Sequence, residues 1–170
     1  MEAECKNAKI LVTDMKVGAI QELVPLLEEI IKTKQELVII AEDIVGEALQ
    51  TFIVNKIRGA LGVLAIKAPG FGARKKDYLE DIATITGATL ITSDVGLTLS
   101  QVKPEHLGSA DRVISTKDKT TIVGGHGSKE SVANRIALAK KEFELLCLLF
   151  SKPGKVFRRK EISLALWNTR

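Results

Sequence analysis

The stretch Ala41–Lys75, AEDIVGEALQTFIVNKIRGALGVLAIKAPGFGARK, decides the fold of this 170-residue chain. Glu36–Ala41 (ELVIIA), which ends at the first residue of this stretch, is an apolar, β-branched run that predicts a largely buried strand. Within the stretch Ala41–Lys75, a helical pattern over Gly46–Gly59 is followed by a second run of this kind, Val63–Ala68 (VLAIKA). Strand, helix and strand in this order indicate a βαβ unit, and therefore parallel strands in an α/β fold.

The same alternation continues on both sides of this stretch. Strands are predicted at Ala8–Thr13 and Thr89–Thr92, helices at Ala19–Thr33 and Arg74–Thr86, and a hairpin from Arg112–Thr116 and Thr120–Val123 around Lys117–Lys119. After the hairpin, a glycine cluster leads into a helix that is expected to begin near Ser128. We therefore expect a sheet flanked by helices.

Composition excludes several classes of protein. Hydrophobic residues make up 45% of the chain, charged residues 27%, and the net charge is +4, as in ordinary soluble globular proteins. The two cysteines, Cys5 and Cys147, are too few and too distant for a disulfide framework, which favours a reducing compartment. No signal peptide is evident, and no apolar run approaches the roughly 20 residues that span a bilayer. We expect no membrane partner.

The helix over Gly46–Gly59 is the most informative element. Its apolar residues at Ala48, Leu49, Phe52, Ile53 and Ile57 fall on one broad arc. Val54 lies outside that arc, among Glu47 and Arg58. The pattern fits an ordinary amphipathic helix, and it also fits an exposed apolar strip along Leu49, Ile53 and Val54, which on soluble domains often marks an interaction surface.

The helix over Ala19–Thr33 is also strongly amphipathic, with apolar residues at Ile20, Leu23, Val24, Leu27, Ile30 and Ile31. Because Pro25 cannot donate a backbone hydrogen bond, it either kinks this helix or begins its regular part. The simplest interpretation is that these apolar residues pack on a sheet. They cover a wide enough arc of the helix that residues along one edge could remain accessible to solvent.

No catalytic or metal-binding pattern emerges from the remaining polar residues. His106 and His126 stand alone in loop-like contexts, so we interpret both as surface histidines without a role. Neither cysteine has a metal-ligand spacing. Asp14, Glu42, Asp43 and Asp94 follow strands, where turn and capping roles are favoured.

A phosphate site at Pro69–Lys76 remains an alternative. PGFG at Pro69–Gly72 precedes Arg74, Lys75 and Lys76, and helix N-termini attract anions. The P-loop pattern is absent, however, so a strand-to-helix turn that uses glycine for positive φ is favoured over an enzyme of phosphate ligands.

Six strings recur in this order and spacing in one family of proteins: AEDIVGEAL, VNKIRG, KAPGFG, ARKK, LEDIATITGA and TTIVGG. On these strings, residues 2–142 resemble the apical, polypeptide-binding domain of group I (GroEL-type) chaperonins. The resemblance implies an α/β domain, with mixed β-sheets flanked by helices, over residues 1–143.

The resemblance also implies a function. Two neighbouring helices would expose apolar side chains that bind unfolded polypeptides and then the mobile loop of the co-chaperonin lid. The implied binding residues are Val24, Leu27 and Glu28 on the first helix and Leu49, Ile53, Val54, Asn55 and Arg58 on the second. No cofactor is implied, because ATP and magnesium belong to the equatorial domain of a full-length chaperonin. The isolated domain is therefore expected to have no enzymatic activity. It is also expected to be monomeric or weakly associated, although the full-length parent forms rings. The compartment would be a bacterial cytoplasm, a plastid stroma or a mitochondrial matrix.

Several features depart from the family, and two of them bear on function. Ala73 stands where an acid is usual, which leaves the basic turn at Arg74–Lys76 without that compensation. Residues 144–170 are an anomalous, mainly apolar helical tail, and Glu142–Trp167 resembles the first two helices of the winged-helix domain of response regulators. Nucleic-acid binding through the basic residues of this tail, Arg158, Arg159 and Lys160, is the alternative function; without a recognition helix it would be nonspecific.

Overall fold

The computed structural model describes residues 2–70, 72–117, 119–138 and 140. The chain divides into two compact units, Met1–Ser128 and Lys129–Arg170. In the second unit, residues 129–138 are helical, close to the predicted start at Ser128. The predicted tail, residues 144–170, lies outside the described residues.

The first unit is built on a mixed sheet with helices on both faces. Its strands are β1 (Glu2–Thr13), β2 (Lys16–Val17), β3 (Leu37–Ala41), β4 (Asp43–Ile44), β5 (Val63–Lys67), β6 (Leu90–Ile91), β7 (Gly108–Thr116) and β8 (Thr120–Gly125). Its helices are α1 (Val24–Thr33), α2 (Gly46–Ile57) and α3 (Ala73–Thr86), with short 3-10 turns at Ile20–Glu22, Ser93–Val95, Leu99–Gln101 and Pro104–His106.

The strand order of the main sheet is β5-β3-β1-β7-β8, and β6 pairs with the end of β1. Strands β5, β3, β1 and β6 run parallel, whereas β1–β7 and β7–β8 are antiparallel. Strands β2 and β4 form a small parallel pair of their own. The predicted βαβ unit and the predicted hairpin are therefore both confirmed, and the fold is the expected α/β class.

Alternation along the central strands divides the core between the two faces of the sheet. Leu11, Leu37 and Ile39 point to the face that α1 and α2 cover. Ile10, Val38 and Ile40 point to the opposite face, where α3 packs through Leu79 and Ala83. Because β3 is buried on both faces, it reads as a continuous apolar run in the sequence.

Several boundaries differ from the prediction, and two of the differences are the largest. Strand β1 begins at Glu2 instead of Ala8, because Glu2–Lys6 pairs with the end of β7 although its residues are mostly polar. The first predicted helix is divided at Leu23 into the 3-10 turn Ile20–Glu22 and α1. Pro25 therefore occupies the first turn of α1, where its missing N–H costs nothing, and does not kink a longer helix.

Within the described residues, no helix has the length and apolar character needed to cross a bilayer.

Candidate functional site

Helix α2 carries a row of exposed apolar side chains. Leu49, Ile53 and Val54 are 38%, 49% and 44% exposed, and Ile57 is 80% exposed. We call these four residues the α2 apolar strip. Large apolar side chains this exposed on one helix are the kind of patch that marks an interaction surface.

The strip exists because α2 contacts the sheet through only a narrow line of residues. Ala48 and Phe52, one helical turn apart, are buried against the sheet, and no other residue of α2 is buried. Of the two interpretations of the apolar arc, the fully buried face is therefore wrong, since Leu49, Ile53 and Ile57 lie beside the contact line and are exposed. Ile57 lies one turn after Ile53 and was not predicted as part of the exposed strip, although the same spacing that relates it to Ile53 could have indicated it.

Helix α1 presents less apolar surface than its sequence stripe indicates. Val24 is 39% exposed and Ile31 is 48% exposed, but Leu27 is only 7% exposed and packs in the core beside Leu26 and Ile30. Leu27 can therefore contribute little contact area in this conformation. Ile31 is the exposed apolar residue at the other end of α1, and the resemblance did not single it out.

The start of α2 is tied to the turn that precedes α1. The Gln21 side-chain amide donates a hydrogen bond to Glu47 at 3.3 Å, and Val45, just before α2, adds a further exposed apolar side chain. Both helices pack on the same face of the sheet. Val45 was not expected at the site, and nothing in the periodicity of α2 predicts it, since it precedes the helix.

The polar residues expected near this surface have separate local roles. Glu28 and Arg58 are exposed. Asn55 is half-buried and donates its side-chain amide to the carbonyl of Thr51 within α2, at 2.9 Å. Lys56, which was not expected, donates from Nζ to the carbonyl of Val63 at 2.9 Å and so ties α2 to the start of β5.

The glycine turn before α3 serves the backbone. Gly70 and Gly72 have φ of 81° and 59°, in the left-handed region that favours glycine. A Cβ at Gly70 would also lie 2.8 Å from the ring of Tyr78. These facts support the interpretation of this segment as a strand-to-helix turn.

The lysines that follow the turn are compensated by acids from other segments. Lys75 Nζ lies 2.9 Å from Glu42 Oε1, and Lys76 Nζ lies 2.6 Å from Asp94 Oδ2. The hydrogen bond from Lys75 holds the pKa of Glu42 below its ordinary value, and the one from Lys76 does the same for Asp94. The prediction of an uncompensated basic turn is therefore wrong for these two lysines, and they are not free to bind a phosphate.

His126 is not isolated, contrary to expectation. Its Nδ1 lies 3.0 Å from Ser109 Oγ and its Nε2 lies 2.9 Å from Asp111 Oδ1. In a catalytic triad the serine bonds to Nε2 and the acid to Nδ1, so the order here is reversed. His126 also donates its backbone N–H to the carbonyl of Ser109. Together these hydrogen bonds hold the end of β8 against β7, which is a structural role. His106 accepts the N–H of Lys103 on Nδ1, a local turn contact.

Among the described residues, metal ligands and thiols give no second candidate site. Within the described residues, no group of three or more His, Cys, Asp or Glu side chains could hold a metal ion. Cys5 is a free, buried thiol in β1, and burial, aided by Glu36, raises its pKa to about 11. A thiol of this kind is a core residue and a poor nucleophile. Cys147 lies outside the described residues.

Two solved structures are similar to this chain, and the first of them supports the fold. The chaperonin gp146 from the bacteriophage EL 2 of Pseudomonas aeruginosa is similar over 98% of this chain and 32% of its own, with 17% identity and a TM-score of 0.61. A group III chaperonin in the open state aligns over 79% of this chain and 32% of its own, with 14% identity and a TM-score of 0.47. This chain thus spans about a third of the length of each.

Two family models match the sequence. The model of transcriptional regulatory proteins, C terminal, matches residues 133–170, in line with the resemblance noted for the tail. The model of the TCP-1/cpn60 chaperonin family matches residues 13–139, which include α1, α2, α3 and most of the sheet. Since this match covers well over half of the sequence, the chain belongs to the TCP-1/cpn60 chaperonin family.

Proposed function

We propose that Met1–Ser128 and the following helix are the apical domain of a group I-type chaperonin, and that this domain binds non-native polypeptides and the mobile loop of a co-chaperonin. The observation that carries the proposal is the α2 apolar strip. Its four side chains are exposed, whereas an amphipathic helix that served only to pack on the sheet would bury most of its apolar residues.

The chemistry of the strip suits partners that share apolar character but no sequence. Apolar contact is non-directional, so side chains of different shapes can be accommodated. Glu28 on α1 and Arg58 directly after α2 are exposed and add charge to the two helices. On α1, exposed Val24 would add to the binding surface, whereas Leu27 is buried and would add little.

The expected affinity of one domain is low. The exposed fractions of the four side chains amount to about two whole aliphatic side chains, worth roughly 3–6 kcal/mol if fully buried. The entropy lost on association offsets much of this gain. Useful affinity would therefore come from several copies acting together, as ring assembly of a full-length chain would provide.

The remaining functions of a chaperonin are proposed for the rest of a full-length chain. ATP hydrolysis, magnesium binding and ring contacts would reside there, and this domain would need no cofactor. A bacterial cytoplasm, a plastid stroma or a mitochondrial matrix is the proposed location.

The test is a double variant in the strip, Leu49→Ser with Val54→Ser. Both residues are partly exposed, so the fold should be kept, while binding of a permanently unfolded, fluorescently labelled polypeptide should weaken by about tenfold or more. Fluorescence anisotropy measures the binding and circular dichroism checks the fold.

The matched control is Ile85→Ser with Val123→Ser, which removes comparable exposed apolar area from α3 and β8. It should leave binding unchanged. Equal binding by both double variants would show that the α2 apolar strip is not the binding surface.

A second candidate function is DNA or RNA binding through the tail, and the match of residues 133–170 to transcriptional regulators favours it. Phosphate contacts made by basic side chains weaken steeply as salt rises. A gel shift that disappears at high salt and on deletion of residues 151–170 would support this function. A shift that survives the deletion would exclude the tail as its source.

A further inference from the structure

A cavity of about 620 Å³ opens on the α3 face of the sheet, opposite the α2 apolar strip. It lies between the two edge strands, β5 and β8, and the tip of the β7–β8 hairpin. Its lining consists of Ile40, Ala65, Ile66, Lys67, Pro69, Ile82, Ser115, Thr116, Lys117, Lys119, Thr120 and Ile122. Its volume falls within the range of about 300–1,000 Å³ that is usual for small-molecule sites.

We propose that this cavity binds a small amphipathic anion, namely an apolar chain or ring that ends in a carboxylate or phosphate group. This site is distinct from the proposed polypeptide-binding surface, because the two lie on opposite faces of the sheet.

The floor of the cavity is apolar because α3 covers only part of its face. Leu79 and Ala83 of α3 pack over the central strands. Ile66 on β5 and Ile122 on β8 lie nearer the edges and are only partly buried, and Ile82 of α3 is likewise half-buried beside them. An apolar chain in the cavity would bury the remaining area of these three side chains.

The rim of the cavity is cationic. Lys117 and Lys119 at the hairpin tip line it, and no acidic residue is among the described residues that do. Lys67 lines it too, but it alternates with Ile66 along β5 and its Nζ lies 3.5 Å from Asp43 Oδ2, so its charge is directed to the other face of the sheet. Asp118 lies between the other two lysines in sequence, so the turn keeps a net positive charge. The rim therefore favours an anion over a cation of the same shape.

Hydroxyl groups add hydrogen-bond donors to the rim. Ser115 Oγ and Thr120 Oγ1 lie 2.9 Å apart, and in such a pair one hydroxyl donates while the other only accepts. The accepting hydroxyl keeps its own hydrogen for a further partner. An anionic head group at this rim would thus meet a hydroxyl donor together with the lysines.

The probe for the test is laurate, below its micelle concentration, with the full chain. Calorimetry should show binding with a dissociation constant below about 1 mM. Isoleucine-methyl NMR should show shifts at Ile66, Ile82 and Ile122 and none at Ile53 or Ile57. Dodecyltrimethylammonium, which has the same chain and the opposite charge, should bind at least about tenfold more weakly, since each exposed lysine contributes a modest attraction.

The variant Lys117→Glu with Lys119→Glu should weaken laurate binding by about tenfold or more. Its control, Lys32→Glu with Lys34→Glu, makes the same change in net charge at the end of α1, on the other face. That control should bind laurate as the unaltered chain does.

Three results would overturn the proposal. The first is equal binding of laurate and dodecyltrimethylammonium. The second is a set of laurate-induced NMR shifts at Ile53 and Ile57 in place of the cavity residues. The third is binding of the chain to anionic phosphatidylglycerol vesicles with no binding of dissolved laurate.

Discussion

The substitution Leu27→Ala separates a core role for this residue from a binding role. Leu27 is 7% exposed and packs in the core between α1 and the sheet, so truncation removes buried methyl groups and leaves a cavity. Buried Leu→Ala changes cost about 2–5 kcal/mol, and we expect about 3 kcal/mol here because one edge of the site can relax towards solvent. For a domain of this size the Tm should fall by about 10 °C.

The matched substitution Ile57→Ser should behave in the opposite way. Ile57 is 80% exposed at the end of α2, so its replacement should change the free energy of unfolding by no more than about 0.5 kcal/mol. The same change removes most of one apolar contact, worth about 1–2 kcal/mol, and should weaken polypeptide binding by about tenfold.

Both variants are measured by urea unfolding, followed by circular dichroism, and by anisotropy of a labelled unfolded polypeptide at a temperature where each is folded. Leu27→Ala should lower stability and keep its binding, and Ile57→Ser should do the reverse. If Leu27→Ala kept its full stability and lost binding, Leu27 would be a surface contact in solution and the packing of α1 described above would be refuted.

Further predictions concern stability, reactivity and the phosphate alternative. Because Lys75 lowers the pKa of Glu42 in the folded chain, their interaction stabilises the fold above the ordinary glutamate value of 4.5 and is lost as the pH falls through the lower, folded pKa. Glu42→Gln should therefore lower the Tm at pH 7, and the difference from the unaltered chain should vanish in acid; a difference that stayed constant with pH would contradict the assigned cause. In a Cys147→Ser background, iodoacetamide at pH 8 should modify Cys5 slowly in the folded chain and quickly in urea, and rapid native labelling would show that the thiol is accessible. Inorganic phosphate should leave the Tm unchanged in differential scanning fluorimetry, since Lys75 and Lys76 are already paired, whereas a clear rise would revive the phosphate site.

The strands and helices that the sequence predicted well are those whose apolar pattern reflects a single environment. Strand β3 is buried on both faces and reads as a continuous apolar run. Helix α3 begins after the glycine turn and ends at Gly87, which has the left-handed conformation of a helix C-cap. Local chemistry alone determines such elements.

The start of β1 shows what local pattern cannot supply. Glu2–Lys6 has few apolar residues, and it is a strand only because β7, about a hundred residues away in sequence, supplies its hydrogen-bond partners. The ion pairs Lys75–Glu42 and Lys76–Asp94 have the same origin, since each joins segments that meet only in the folded chain.

The sequence alone determined the family, and it predicted α2 as a helix with an exposed apolar strip. Six ordered strings marked the chaperonin resemblance, and the out-of-phase Val54 pointed to α2. Only the tertiary structure decided which apolar residues of the two helices are exposed. Periodicity shows that residues share one side of a helix, but the way each helix is rotated against the sheet decides which of them are buried. In this fold, Leu27 of α1 lies in the core and Ile57 of α2 lies in solvent.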